Sequence, residues 1–252
     1  MQNIILTGAA TQTWFTDFLG DLHQTFIAKD RWLMFLKGLG ITIEVGLLAL
    51  VMGVIIGVCI AIIRSASEQR KGKKKTFGGV LLSIVDFICK IYLTVIRGTP
   101  MMVQLLIMYF VIFASSRNTV MVAVIAFGIN SGAYVAEIVR SGIMSIDAGQ
   151  MEAGRSLGLN YGQTMKSIII PQAIKNILPA LGNEMITLLK DTSLVTVVGL
   201  MDVTKTAQVI AGATYQAYVP YFGAAAIYLV LVIILSKILE KVERRLRAGD
   251  KR

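Results

Sequence analysis

Long apolar segments constrain the fold of this 252-residue chain more than any other feature. A helix needs about 20 apolar residues to cross the hydrocarbon core of a bilayer, and several segments approach or exceed that length. Hydrophobic residues make up 55 % of the chain, against roughly 45–50 % in soluble globular proteins. The sequence therefore predicts an all-α membrane protein. We place about five transmembrane helices near residues 38–63, 99–114, 120–143, 171–198 and 221–239.

The distribution of basic residues predicts the orientation of these helices. Residues 64–75 carry six Lys or Arg, and residues 237–252 carry seven. Because loops rich in Lys and Arg stay in the cytoplasm, five helices place the N-terminus outside and the C-terminus inside. The same count places residues 147–171 in the cytoplasm. Membrane orientation thus accounts for the net charge of +10, and a nucleic-acid partner is not expected.

Three parts follow from this topology. Residues 1–37 form an external or interfacial segment, whose aromatic side chains recur at helical spacing as in an amphipathic helix on the outer interface. Residues 38–245 form the membrane domain, and residues 246–252 form a basic cytoplasmic tail. His23 is the only histidine, so no metal site is expected.

The segment 77–96 is apolar but interrupted by two charges. Asp86 and Lys90 are four residues apart, which places them on one helix face where they can pair. We expect this segment either to lie at the cytoplasmic interface or to lead into the span at 99–114. Pro100 suits the first turn of a new helix.

A polar sequence, DAGQMEAGRSLGLNYGQTMKSIIIP, separates two of the apolar segments at residues 147–171, here called the hairpin. Asp147 is a good N-cap, with Gln150 three residues later as in a capping box. Gly158 tolerates the left-handed conformation that ends many helices. Asn160 then begins a second helix, again with a glutamine three residues later. The pattern predicts two short helices joined by a glycine turn.

A capped helical hairpin between two spans indicates a docking surface for another subunit. Ala153, Gly154 and Gly158 are small enough for the hairpin to enter a groove closely. Glu152 and Arg155 flank them and can pair with charges on a partner. A structured loop without any partner is the alternative, and the residues alone leave both interpretations open.

Four separated motifs resemble those of ATP-binding-cassette (ABC) importer permeases with the type I fold, in particular the polar amino acid subfamily. The resemblance covers residues 38–245. Gly154 departs from the alanine of the family's EAA loop, which should weaken helix propensity by up to about 1 kcal/mol, and Ile170 replaces the usual leucine. The motifs are Glu152-Ala153-Gly154 with Gly158 and Ile168-x-Ile170-Pro171; Arg97-Gly98-Thr99-Pro100 with Met102-Val103-Gln104-Leu105; Asn130-Ser131-Gly132-Ala133-Tyr134 with Glu137 and Arg140; and Gly182-Asn183-Glu184 with Leu189-Lys190-Asp191-Thr192-Ser193-Leu194.

The resemblance implies a membrane subunit of an ATP-driven importer in a bacterial cell membrane. Two permeases, identical or paired with a homologue, would form the pathway. Two cytoplasmic ATPase subunits would bind the EAA loops through Glu152, Ala153, Gly154, Arg155 and Gly158, and an external binding protein would deliver an amino acid. ATP and Mg²⁺ would be bound by the ATPase and no cofactor by this chain. The sequence independently lacks a G-x-x-x-x-G-K-[ST] phosphate loop.

Polar residues within the spans are the candidates for substrate contact, because ionisable groups in membranes are costly and usually functional. An amino acid needs an anionic site for its ammonium group and donors for its carboxylate. For a cationic substrate, Glu184 is the acid we expect to bind the side chain. Lys190 can instead pair with its neighbour, so that interpretation also stays open. The candidates are Asn130, Tyr134, Glu184, Asp191, Thr192 and Ser193.

We expect alternating access, with the hairpin carrying motion from the ATPase into the spans. Pro179 lacks a backbone donor and can bend its helix, and Gly182 adds compliance. Ordinary helix packing explains this pair equally well.

Three other functions are less well supported by the sequence. A secondary transporter predicts inverted repeats with paired broken helices, and no internal repeat is evident. A membrane enzyme needs clustered acid–base groups or metal ligands, and no such cluster is evident. A scaffold that only docks a soluble partner would not couple ATP hydrolysis to a substrate.

Overall fold

The structure, a computed structural model, describes residues 16–70 and 76–248. Throughout these ranges the regular secondary structure is helical, which confirms the all-α prediction. Turns of π-helix or 3₁₀-helix join several of the α-helices. The α-helices from residue 31 onward are α1 (Arg31–Arg70), α2 (Phe77–Gly98), α3 (Met101–Ile107), α4 (Thr119–Met144), α5 (Ala148–Ser156), α6 (Tyr161–Thr164), α7 (Ile170–Asp191), α8 (Val203–Thr214) and α9 (Tyr218–Ala248).

Four or five segments of the described chain are long and apolar enough to cross a membrane, in agreement with the predicted five. The fifth is a bent pair, in which the helical stretches Tyr161–Val198 and Val203–Thr214 meet at 46°. Gly199 lies at this break with a φ of +79°, a conformation that glycine adopts without strain. The other four are Thr16–Arg70, Phe77–Gly98, Thr119–Met144 and Tyr218–Leu246.

The predicted second span differs from the structure. The helical stretch Met101–Ile112 is shorter than a bilayer requires, whereas α2 has 22 residues. The charges that argued against α2 are paired, because Lys90 Nζ lies 2.7 Å from the buried Asp86 carboxylate and Arg64 Nε lies 3.7 Å from it. Thr99, extended ahead of Pro100, then ends the helix.

The first helix begins earlier and ends later than predicted. Residues 16–30 are already helical, with a break where Lys29 and Asp30 have φ values of 56° and 53°. From Arg31 the helix continues for 40 residues. It therefore passes through the predicted boundary at residue 37 and includes residues 64–70, which were assigned to a loop. Residues 1–15 and 71–75 lie outside the described residues.

The described residues form two compact units. The first comprises residues 16–44 and 192–231. Its apolar core is formed by Phe35 of α1 with residues of α8 and Ala224 of α9. Asp202 is fully buried as the N-cap of α8, and its carboxylate accepts hydrogen bonds from two backbone N–H groups, a threonine and Tyr228. These bonds compensate the burial of the carboxylate.

The second unit comprises residues 45–70, 76–191 and 232–248, and it contains the hairpin. Its centre is α4, which packs closely against α1. A Cβ at Gly53 would lie 2.8 Å from Ser131, and one at Gly57 would lie 2.6 Å from Val135. The small-xxx-small pattern of α1 therefore permits close helix contact, as such patterns do in membranes.

Gly182 serves helix packing, and α7 is not interrupted at Pro179. A Cβ at Gly182 would lie 2.2 Å from Leu239 of α9, so the glycine allows α9 to approach α7. The predicted bend is instead found beyond Val198.

Candidate functional site

The first arm of the hairpin is α5, and Asp147 caps its N-terminus as predicted. The Asp147 carboxylate accepts a hydrogen bond of 2.7 Å from the Gly149 backbone N–H. The expected reciprocal bond from Gln150 is not the one found. The Gln150 amide oxygen instead accepts a 3.3 Å hydrogen bond from Gln172 at the start of α7, which ties the first arm to the second.

The turn of the hairpin forms as the glycine predicted. Gly158 has a φ of +80° and follows the C-cap of α5. Its N–H donates to the Arg155 carbonyl at 3.0 Å, and the Leu159 N–H donates to the Gly154 carbonyl at 3.1 Å. This pair of bonds is a Schellman motif, which satisfies carbonyls that the end of the helix leaves unpaired.

The second arm begins with the predicted capping box. The Asn160 side chain accepts from the Gln163 N–H at 3.0 Å, and the Gln163 side chain accepts from the Asn160 N–H at 2.9 Å. The arm continues through α6 and a π turn into α7. Pro171 cannot donate to the carbonyl four residues earlier, and the π turn (Met165–Ile169) directly precedes it.

Gly154 holds the two arms of the hairpin together. It is buried, and a Cβ at this position would lie 2.5 Å from Cγ2 of Thr164, which is itself fully buried. The departure from alanine therefore has a packing reason that outweighs the loss of helix propensity. It also corrects the expectation that Gly154 enters a partner's groove, since this residue faces the second arm.

The outer surface of the hairpin is largely polar, and Leu157 at its tip is the most exposed of its large apolar residues. Glu152, Ala153 and Arg155 are exposed, as a docking role requires. Leu157 is 79 % exposed next to Gly158. Leu157 was not among the predicted docking residues. Its position directly before the turn glycine could have indicated such a role, because a leucine at the end of a capped helix would normally be buried.

A polar network links α3, α4 and α7 inside the second unit. Asn130 Nδ2 donates to Gln104 Oε1 at 3.0 Å, and Gln104 Nε2 donates to backbone carbonyls at the end of α2 and beyond it. Ser131 Oγ donates to Glu184 Oε1 at 2.9 Å. We call Gln104, Asn130, Ser131 and Glu184 the polar network. Gln104 belongs to one of the four motifs but was not among the residues predicted to contact the substrate.

Tyr134 lies apart from that network, on the exposed side of α4. The guanidinium of Arg97 lies 5.9 Å from the centroid of its ring. Arg97 Nη1 is 3.7 Å from the Glu137 carboxylate, which also accepts hydrogen bonds from Arg140. Glu137 and Arg140 therefore form an ion pair on one face of α4.

The remaining substrate candidates lie at the junction of α7 with the 3₁₀ turn that follows it. Asp191 is partly exposed at the end of α7, on the same helical face as Glu184, seven residues earlier. Thr192 is 1 % exposed and interacts with Tyr228 within the first unit. Ser193 is partly exposed. Among the described residues, no three His, Cys, Asp or Glu side chains are grouped to hold a metal ion.

Comparisons with known proteins all point to one class. The family described as binding-protein-dependent transport system inner membrane component matches residues 77–248. The arginine transport system permease protein ArtQ of Bacillus subtilis (strain 168) is 40 % identical over 218 residues, covering 85 % of this chain and 93 % of the relative. The glutamine transport system permease protein GlnP of Escherichia coli (strain K12) is 35 % identical, with the same coverage of both chains.

Solved structures agree with this. A chain of an amino acid ABC transporter crystallised with histidines is 42 % identical, with a TM-score of 0.75, and covers 84 % of this chain and 94 % of its own. A chain of the methionine ABC transporter MetNI in an inward-facing conformation has a TM-score of 0.71 at 14 % identity, and covers 87 % of this chain and 99 % of its own. The second likeness concerns the fold alone.

Proposed function

This chain belongs to the family of binding-protein-dependent transport system inner membrane components, and we propose that it serves an ATP-driven importer of polar or charged amino acids. It is a multi-pass membrane permease subunit and not itself an enzyme. Import requires that an energy-supplying subunit move the membrane helices. The proposal therefore depends on a rigid connection between the energy-supplying subunit and the membrane helices.

The hairpin is the single feature that carries this proposal. Asp147, the Gly158 turn and the capping box at Asn160 satisfy its backbone without help from another chain. The close contact at Gly154 joins its two arms, and the second arm runs without a loop into α7. A displacement applied to the tip is thus transmitted to a membrane helix. The exposed Glu152, Ala153, Arg155 and Leu157 are available to the ATPase.

The substrate class is inferred from relatives and from the polar network. Two of the relatives are named for arginine and glutamine transport. Glu184 supplies an acid for a substrate ammonium or cationic side chain, and Asn130 an amide for its carboxylate. Asp191, Thr192, Ser193 and Tyr134 stay candidates for the rest of the pathway, and alternating access would expose these groups to each side in turn.

The assembly we propose contains a cytoplasmic ABC ATPase dimer, which holds ATP and Mg²⁺, and a second permease that is a copy or a homologue of this one. A binding protein on the outside delivers the amino acid. The chain lies in the inner or cytoplasmic membrane of a bacterium, with its N-terminus outside and the hairpin inside. This orientation follows from the basic residues near α1 and α9.

Uptake by the complete complex tests the function. Vesicles containing the co-purified subunits should take up one or more labelled polar amino acids only with ATP and the binding protein. Glu184→Gln keeps an acceptor for the Ser131 hydroxyl but removes the charge, so it should change KM for a cationic substrate about tenfold or more, while ATP hydrolysis persists. Uptake without the ATPase, or unaltered kinetics in the variant, would contradict the corresponding part of the proposal.

A further inference from the structure

A basic groove on the second unit is bordered by one candidate of the substrate pathway, Tyr134, but its cations have no role in the function proposed above. Its volume is about 490 Å³, and three helices line it. Arg64 of α1, Lys90 and Arg97 of α2, and Tyr134 of α4 border it, with small or apolar residues of α2 between them. A groove bordered by three cations between membrane helices is suited to an anion.

The carboxylates near this groove do not neutralise it. Asp86 is shared by Lys90 and Arg64, while Glu137 is shared by Arg97 and Arg140. Glu68 also interacts electrostatically with Arg140. These charged residues are four cations and three carboxylates, so one positive charge remains. The cations are Arg64, Lys90, Arg97 and Arg140, and the carboxylates are Asp86, Glu137 and Glu68.

The two guanidinium groups that border the groove have donors to spare. Arg64 Nε and Arg97 Nη1 each lie 3.7 Å from their nearest carboxylate, which is too far for a hydrogen bond. Arg64 Nε is buried and has no hydrogen-bond partner among the described residues. That atom is closed off from the groove, so only the terminal nitrogens of Arg64 are available to a ligand there. Guanidinium groups bind the oxygens of phosphate groups particularly well.

The surface beside the groove is apolar. Large hydrophobic side chains of α2 are exposed at helical spacing along its whole length, each between 47 % and 89 %. Ile91 and Val95 flank Thr94 of the groove. A soluble anion would gain nothing from this stripe, whereas acyl chains would cover it. The residues of the stripe are Phe77, Val80, Leu81, Ile84, Phe87, Ile88, Ile91 and Val95.

We propose that the Arg64–Lys90–Arg97 groove binds the phosphate group of an anionic membrane lipid, with the acyl chains along the apolar stripe of α2. The site does not depend on the amino acid carried or on the hairpin, so it stands separately from the proposed function.

Lipid binding to the co-purified complex tests this proposal. Native mass spectrometry and titration with fluorescent phosphatidylglycerol should show preferential binding over phosphatidylcholine. In a Lys90→Gln/Arg97→Gln variant, Asp86 keeps Arg64 and Glu137 keeps Arg140, so folding should survive. Phosphatidylglycerol affinity should fall about tenfold or more, since each cation contributes about 1 kcal/mol. Lys90→Arg/Arg97→Lys should restore it.

A matched control removes two exposed charges elsewhere. Lys237→Gln/Lys241→Gln on α9 should leave the affinity within about twofold. Equal binding of both lipids, or equal losses in the two double variants, would overturn the site. Displacement by millimolar inorganic phosphate without lipid preference would reassign it to a free anion, and displacement by the transported amino acid would reassign it to the substrate; either result overturns the lipid proposal. If the first double variant does not assemble, Lys90→Gln alone decides, with an expected loss of about fivefold.

Discussion

The hairpin and the polar network differ in the sequence distance over which their contacts are made. Asp147 and Asn160 bond to groups two or three residues away. In the polar network, Asn130 bonds to a residue 26 positions earlier, and Ser131 to one 53 positions later. The hairpin can thus form from local interactions, whereas the network exists only when three helices have packed. A feature built from local interactions can be predicted from the sequence, whereas one built from contacts between distant residues cannot.

The largest effect should come from filling the contact between the two arms. Gly154→Val places a side chain 2.5 Å from Thr164, which forces the arms apart and costs about 2–3 kcal/mol. We expect amino acid uptake to fall more than tenfold while ATP hydrolysis continues. Ser156→Val is the control, since Ser156 is exposed on the same helix and is not among the residues proposed to bind the ATPase. Normal uptake by the Gly154 variant would show that the arms need not move together.

A smaller loss is expected at the turn. Gly158→Val must hold a β-branched residue at a φ of +80°, at a cost of about 1–3 kcal/mol. Nothing lies within 4 Å of the added Cβ, so only backbone strain is tested. Transported amino acid per ATP should fall several-fold, and Gly158→Asn should behave nearly as wild type because asparagine tolerates this conformation. Equal defects in both variants would point to a contact rather than to the backbone.

A change in the polar network should act on the substrate and not on coupling. Ser131→Ala removes the hydroxyl that donates to Glu184, worth about 1.5 kcal/mol because the acceptor is a carboxylate. KM should change several-fold with the ratio of transport to ATP hydrolysis preserved. A changed ratio of transport to ATP hydrolysis with constant KM would mean that the polar network contributes to coupling rather than to substrate binding.

The smallest effect is expected at the second N-cap. Asn160→Ala removes the bond from the Gln163 N–H to the Asn160 side chain, about 1 kcal/mol, and leaves the bond from the backbone N–H of residue 160 to Gln163. Uptake should fall about twofold or less, because packing against Gly154 still holds the arm. A loss as large as that of Gly154→Val would show that the cap, and not the packing, maintains the hairpin.

The same distinction between local and long-range contacts explains which predictions from the sequence were correct. Apolar length predicted the number of spans, and turn residues predicted the Gly158 turn and the Asn160 capping box. The placement of the second span differs from the structure because Asp86 is paired not only with Lys90 four residues away but also with Arg64 on another helix. The inward position of Gly154 also depends on tertiary contact.

Cysteine labelling at the hairpin tip tests the central claim most directly. Leu157→Cys, in a variant with Cys59 and Cys89 replaced, presents one thiol at a position that is 79 % exposed. We predict that it cross-links to the ATPase subunit of the working complex and is not labelled by an impermeant reagent added outside intact cells. Labelling from the outside, or failure to cross-link in a complex that transports normally, would contradict the account.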